Sequence, residues 1–470
     1  MYSSCSSLIH YTANRTSLEM ATVVEEIPSY ELATFHGPTS KIPAKAIVPE
    51  NSPPDDNAQP SGHETPTPST TTTVQPLITK PRFVAIFLAF FIQGVNDSVT
   101  GALLPYIQAR YHIQYAIASL VFVGNAVGFI AAVPFIQLLD RNLGRVKTLL
   151  LAVCCNIVAY SIIIAQPPFA VVAICFGILG FGFSTILALD NSLVANSRNG
   201  TVLLGITQGG YGIGGTVAPL MGTAMASNGV RWSFFYLISL GLSITNAALF
   251  AWSFHNFVPT LRSTNLPAGN VLRPTARSPV LQAMRDRSVL FGSVFVFAYQ
   301  GAEVTISGWI VSFLIDYRHG EPSKVGYVSA GFWAGITAGR FLLCPVIEKL
   351  GDRRCIFGLI IIWAGFHLIV WFAHDIVGDA VAVAIIGVLS GPIAPCATGV
   401  MSKLLDPSIQ VTGVGMAWSI GSGGAAVAPF LTGLLAQVYG AVVLNPTCIV
   451  LCVVMNVAWL ALPGRTWKKD

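Results

Sequence analysis

Three ionisable residues fall where the sequence offers them no water. Asp97, Glu303 and Arg340 each lie inside a long apolar run. At a helical rise of 1.5 Å per residue, a position about 15 residues into a run reaches the middle of a ~30 Å hydrocarbon layer. Asp97 and Glu303 both lie at that depth. A carboxylate there is costly to keep, and by default it serves a proton or ion pathway, binding and releasing a proton. The alternative is structural: Asp97 bonded to Gln93 or Asn96, and Glu303 holding two parts of the chain together. Arg340 is the only basic residue deep in a run, about 18 Å along a helix from Asp352. An unpaired guanidinium at that depth is costly, so a carboxylate or polar partner is expected, either Glu303 or an anionic substrate.

Amides and aromatics surround these positions in the sequence. Gln93, Asn96, Asn125, Gln208, Tyr211, Gln300, Trp309, Trp333 and Trp418, with Arg340, form the expected substrate cavity. Amides bind hydroxyl-rich ligands through several hydrogen bonds, and indoles offer an apolar stacking face. Each of these residues is equally compatible with plain packing. His367 stands alone in its run and is expected to be hydrogen-bonded rather than functional. Hydrolytic and phosphoryl chemistry find no support: there is no His-Glu-x-x-His, Gly-x-Ser-x-Gly or Walker loop. The cysteines show no Cys-x-x-Cys or zinc spacing, so most are expected to act as small buried hydrophobes. No metal and no cofactor is expected.

The elements that must position these residues are membrane helices. Hydrophobic residues make up 53% of the chain and charged residues 10%, against about 25% charged in a soluble domain. The mean hydropathy is +0.66. From Pro81 onward, twelve apolar runs alternate with short polar breaks, each long enough to span a bilayer as a helix. Residues 1–80 differ: they are rich in Ser, Thr and Pro, lack a signal-peptide pattern and are expected to be a disordered cytoplasmic tail. Met20 is a possible alternative start. The expected layout is a first six-helix bundle at 81–254, a central cytoplasmic loop at 255–287, a second bundle at 288–463 and a short tail at 464–470.

Orientation follows from the basic residues. With both termini in the cytoplasm, the inner segments carry 18 Lys and Arg and the outer loops only Arg110, Arg231, Arg318 and Lys324. The excess of basic over acidic residues is thus membrane topology, and no basic stripe suggests nucleic acid. The sequons at Asn14 and Asn199 fall on the cytoplasmic side and are expected to be unused.

The two halves repeat. Gln93-Gly94 recurs as Gln300-Gly301. Gly124, Gly128 and Pro134 recur as Gly335, Gly339 and Pro345. Gly214 with Ala218-Pro219 recurs as Gly424 with Ala428-Pro429. The offsets are 207, 211 and 210 residues. Two parallel six-helix repeats are a transporter architecture with the substrate site between them.

These features resemble the major facilitator superfamily over Pro81 to about Pro463. Asp140-Arg141-Asn142-Leu143-Gly144-Arg145 is similar to the superfamily's signature Gly-x-x-x-Asp-Arg-x-Gly-Arg. It carries one extra residue after the Asp-Arg pair, and Ile136 stands in place of the leading Gly. Gly351-Asp352-Arg353-Arg354 is the shortened second copy. Asn96-Asp97 with Pro105, and Gly301 to Trp309, are similar to a fungal branch related to fucose/proton symporters.

The resemblance implies the all-α major facilitator fold and proton coupling at Asp97, with Glu303 as a second candidate. It also implies gating by Asp140, Arg141, Arg145, Asp352 and Arg353, through charge pairs across the inner face; plain topology-setting charge is the alternative. Asp190 ends a run and is expected at a solvated helix end. Gly214 to Gly222 resembles a motif of proton-coupled drug antiporters, but its recurrence in the second half favours helix packing.

The expected function is a secondary transporter of a small solute, proton-coupled, monomeric and lipid-embedded in the plasma membrane, with a sugar-like or polyol solute favoured. Proton-driven export of an amphipathic metabolite is the close alternative; a membrane-embedded enzyme or a non-transporting sensor is the remote one. The eight residues after Leu462 are fewer than a signalling extension needs.

Overall fold

A computed structural model describes residues 78–195, 197, 200–255, 279–406 and 409–463. The expected tails, the sequons at Asn14 and Asn199 and most of the central loop lie outside the described residues. Twelve helical spans run through the rest. The first half comprises α1 (Lys80–Tyr111), α2 (Tyr115–Leu143), α3 (Arg145–Ile164), α4 (Phe169–Ala195), α5 (Gly200–Ser227) and α6 (Trp232–Ser253). The second half comprises α7 (Arg287–Asp316), α8 (Tyr327–Leu350), α9 (Asp352–Phe372), α10 (Ile376–Leu404), α11 (Gln410–Gly421 and Gly424–Tyr439) and α12 (Ala441–Ala461). A further helix, Pro279–Arg285, occupies part of the stretch read as loop.

Eleven spans are both long and apolar enough to cross a membrane. The exception is α5, which has the length but is diluted by eight glycines. With an even number of spans, α1 begins and α12 ends at one face, called here the terminal face.

The sequence repeat is a repeat of helix contacts. Lipid supplies no hydrophobic drive between helices, so close backbone approach must hold them, and glycine allows it. In the first half, a Cβ on Gly94 would collide with the carbonyl of Tyr211, and one on Gly214 with that of Phe91, which clasps α1 to α5. In the second half, Gly301 lies against Gly424 and Ala428, and Gly424 against the carbonyl of Phe297, which clasps α7 to α11. Gly124 and Gly128 press α2 onto α4, as Gly335 and Gly339 press α8 onto α10. Packing is thus what the Gly214-to-Pro219 segment does. The turns α2–α3 and α8–α9 also match: Gly144 and Gly351 take φ of 79° and 104°, a left-handed region that favours glycine.

The two halves meet from just past the midplane to the face opposite the termini. Along α5 and α8 the pairs Gly209–Phe341, Gly212–Thr337, Gly215–Trp333 and Thr223–Gly326 form an antiparallel ladder. Gly101 of α1 abuts the carbonyl of Ser307 on α7. Nearer the opposite face, the Tyr115 hydroxyl donates to Asp316, and Tyr106 donates to the Pro322 carbonyl at 3.5 Å. Trp309 lies beside Tyr115 and Phe122, at ring distances of 5.5 and 6.0 Å. A recess of about 640 Å³ opens over this seal. Toward the terminal face, Ile130, Val133 and Leu138 of α2 and Phe341, Leu342 and Leu350 of α8 are exposed.

None of the described cysteines is in a disulfide. Cys175, Cys448 and Cys452 are buried as expected, whereas Cys154 is exposed on α3. His367 is fully buried, with Nδ1 3.1 Å from the Asn445 side-chain oxygen.

Candidate functional site

The clasp of α1 on α5 aligns their polar residues. Because Gly94 lets α1 lie against the backbone of Tyr211, the Tyr211 hydroxyl reaches Asp97 and donates to Oδ2 at 3.1 Å. The Asn96 amide donates to Oδ1 of Asp97 at 3.3 Å. The oxygen of that amide accepts from the Tyr160 hydroxyl of α3 at 3.2 Å. Gln93, one turn earlier on α1, is also close enough to interact with the Asp97 carboxyl. Asp97 itself is only partly buried.

The second half supplies the facing groups. Glu303 on α7 is 7% exposed and lies within electrostatic reach of both Asp97 and Arg340. Arg340 on α8 lies among Tyr299, Glu303 and Tyr211, with the Tyr299 hydroxyl close enough to interact with both Arg340 and Glu303. Trp333, two turns before Arg340 on the same face of α8, meets Tyr211 edge-on with ring centroids 5.9 Å apart. Asp97, Glu303 and Arg340, far apart in sequence, therefore form one cluster across the interface between the halves.

The expected Arg340–Glu303 pairing is electrostatic rather than direct. Among the described residues no carboxylate oxygen lies within 4.0 Å of Arg340, and its buried Nε has no hydrogen-bond partner. The clasp on α11 fixes Glu303 through Gly301, while Gly335 and Gly339 hold α8 against α10. Each side chain is thus positioned by a different helix pair.

Of the other cavity residues, the two tryptophans bond elsewhere. Trp309 is buried in the seal, its indole donating to the Pro429 carbonyl at 3.0 Å. Trp418 donates to the Thr398 hydroxyl at 3.0 Å. Gln208 and Gln300 are partly exposed on α5 and α7. Asn125 has a buried side-chain oxygen without a hydrogen-bond partner.

The loop charges pair within their own halves. Arg145 lies 3.5 Å from Asp140, and both are partly exposed. Arg141 is exposed. Arg353 donates to the carbonyls of Leu460, Leu462 and Pro463 at the end of α12, and its own carbonyl accepts from Trp459 at 2.9 Å. The side chain of Asp352 lies outside the described residues. Asp190 corrects an expectation. Helix α4 runs past it to Ala195, so the carboxyl is fully buried, with neither oxygen hydrogen-bonded among the described residues, feeling the charge of Arg145.

Four groups have no counterpart among the residues that the sequence singles out. Tyr299 stands one turn before Glu303, a spacing that could have disclosed it. Tyr160 carries no local signal. The same is true of the Tyr115–Asp316 bond and of Arg318, which reads as a plain loop charge. Arg318 pairs with Asp379 at 2.9 Å, with side chains 3% and 0% exposed.

Comparison with known proteins agrees with this frame. Residues 86–320 match the family model described as Major Facilitator Superfamily. The chain is 28% identical over 424 residues to Bypass of stop codon protein 6 of Saccharomyces cerevisiae, covering 83% of each. It is 23% identical to a glucose/galactose transporter of Brucella abortus, covering 76% of this chain and 88% of that one. With the cis,cis-muconate transport protein of Acinetobacter baylyi the identity is 25%, over 76% and 88%. Among solved structures, the nucleoside transporter NupG superposes with a TM-score of 0.65 at 13% identity, covering 81% of this chain and 99% of that one. A bacterial homologue of the lysosomal transporter Spinster gives 0.65 at 14%, covering 81% and 96%. The fold, the duplicated glycine clasps and the family match agree: the chain belongs to the Major Facilitator Superfamily and is a secondary transporter of small solutes, not an enzyme.

Proposed function

We propose that the protein couples proton movement to the transport of a hydroxyl-rich solute, with Asp97 as the proton-binding group and Glu303 as its partner across the interface. The observation that carries this reading is the environment of Asp97: a partly accessible carboxyl in the transmembrane core, held by donors from Tyr211 and Asn96 and within reach of Glu303.

The chemistry follows from those donors. While Asp97 is ionised, the Tyr211 hydroxyl and the Asn96 amide point at its oxygens. When Asp97 takes a proton, it needs these donors less, and they can turn to solute hydroxyls. Proton and solute then load together and the halves rock. Loss of the proton on the other side draws the donors back to the Asp97 carboxylate and releases the solute. The Lys and Arg bias supports a cytoplasmic terminal face, with the plasma membrane as the favoured location. Glucose/galactose and glucose/mannose transporters among the relatives support a sugar-like solute.

The test is reconstitution in liposomes with a lumenal pH dye, challenged with sugars, polyols and their acids. We expect solute-dependent proton movement in the wild type, and none above empty liposomes in Asp97→Asn. That variant should still exchange labelled solute for unlabelled solute, because the amide has the shape and neutrality of the protonated carboxyl and, like it, leaves one of the two donors free for the solute. Equal proton movement in both proteins would remove Asp97 from the mechanism.

A further inference from the structure

Arg340 is the unexplained group of the central cluster. Its guanidinium lies within the membrane span, its Nε is buried without an acceptor, and no carboxylate among the described residues comes within 4.0 Å; the Tyr299 hydroxyl, close to both Arg340 and Glu303, is a neutral neighbour that leaves the charge uncompensated. An arginine that served only to join the halves would be expected in a direct, bidentate pair with an acid. Arg318 shows that this chain builds direct pairs: it bonds Asp379 at 2.9 Å and donates further to the carbonyls of Val370, Trp371 and Ala373. Arg340 is instead left partly accessible, with charge from Glu303 nearby but not seated on it.

We infer that Arg340 receives a carboxylate on the solute, so that the transported class is a polyhydroxylated monocarboxylate, such as a sugar acid, rather than a neutral sugar. The inference rests on the transport reading above and narrows its solute.

The charges of the core agree with it. The titratable groups facing Arg340 and its neighbours are Asp97 on α1, Tyr160 on α3, Tyr211 on α5, and Tyr299 and Glu303 on α7. With both acids ionised the core carries a net negative charge and repels an anion. With both protonated it carries the single positive charge of Arg340, which a monoanion neutralises while keeping its carboxylate out of an uncompensated low-dielectric site. Proton uptake thus becomes a condition for anion binding. Tyr211 and Asn96, released from Asp97, address the solute hydroxyls, and the guanidinium fork addresses the carboxylate.

The test compares labelled D-glucuronate, D-gluconate, D-glucose and D-mannitol in proteoliposomes with an inward proton gradient. We expect uptake of at least one of the two acids to exceed that of both neutral compounds at least tenfold. Arg340→Gln should lose this preference, while retaining the thermal unfolding profile of the wild type in detergent. Arg340→Lys should restore only part of it, since an ammonium lacks the fork. Proton-coupled uptake of glucose or mannitol without the acids would overturn this inference and leave the transport reading standing. Uptake of acids unchanged in a folded Arg340→Gln variant would also overturn it. Absence of uptake for all four compounds would count against both.

Discussion

Replacing Arg318 by Ala should destabilise the protein by about 3–5 kcal/mol, the cost of stranding a buried charge. Its partner Asp379 is fully buried, and among the described residues only His374, which forms no ion pair with it, is then left within electrostatic reach. The loss extends beyond the ion pair. Arg318 donates to the carbonyls of Val370 and Trp371, which end α9, and to Ala373 just beyond it. Its guanidinium also lies over the rings of Phe313 and Tyr317, at 5.3 and 5.0 Å. One side chain therefore ties the end of α7 to the α9–α10 turn, and three carbonyls lose their donor together. Thermal unfolding in detergent measures the effect. Arg318→Met combined with Asp379→Leu should recover most of the stability, because no charge is then left buried alone. A midpoint for Arg318→Ala indistinguishable from that of the wild type would refute the role assigned to the pair.

Gly101→Val should reduce transport roughly a hundredfold without unfolding the protein. The nearest atoms to a Cβ at this position all belong to Ser307 and Gly308 of α7, in the other half. Each half can therefore still pack, but the halves cannot meet at their seal. Overfilling a close contact at about 3 kcal/mol lowers the occupancy of the sealed state by roughly that factor. Gly94→Val is the control, since its clash is with Tyr211 and Gly215 in its own half. It should lower the unfolding temperature as well as transport. Uptake and thermal unfolding, measured on both variants, separate the two effects. Wild-type uptake by Gly101→Val would mean that the seal at α1 and α7 is dispensable.

The helices are legible in the sequence because hydropathy and length decide them, and the duplication is legible because its glycines recur at nearly constant offset. Which side chains touch is less legible. Periodicity places Arg340 and Glu303 at similar depth, but the distance between them depends on how α7 and α8 are rotated. That rotation is set by the clasps on α11 and α10. Trp309 illustrates the same limit: its type suits a ligand, yet its indole nitrogen is held by Pro429 across a helix contact that the sequence does not encode locally. Asp190 misleads because a charged residue near the end of an apolar run reads as a boundary, whereas α4 continues past it under the cover of its neighbours. Arg318 and Asp379 give no signal, being an ordinary loop charge and an ordinary helix start when read one at a time.

The duplicated clasps give the molecule an internal reference. Carried over at the offsets of the repeat, Arg340 corresponds to Phe129, Glu303 to Asn96 and Asp97 to Val304. The scaffold is symmetric in its glycines and asymmetric in its charges. Two ancestral copies could share the first while only their divergence produced the second. Exchanging residues between twin positions would then probe that divergence directly: substitutions at Gly128 and Gly339 should behave alike, whereas placing an arginine at 129 and a phenylalanine at 340 would ask whether the polarity of the carrier can be reversed on an unchanged frame.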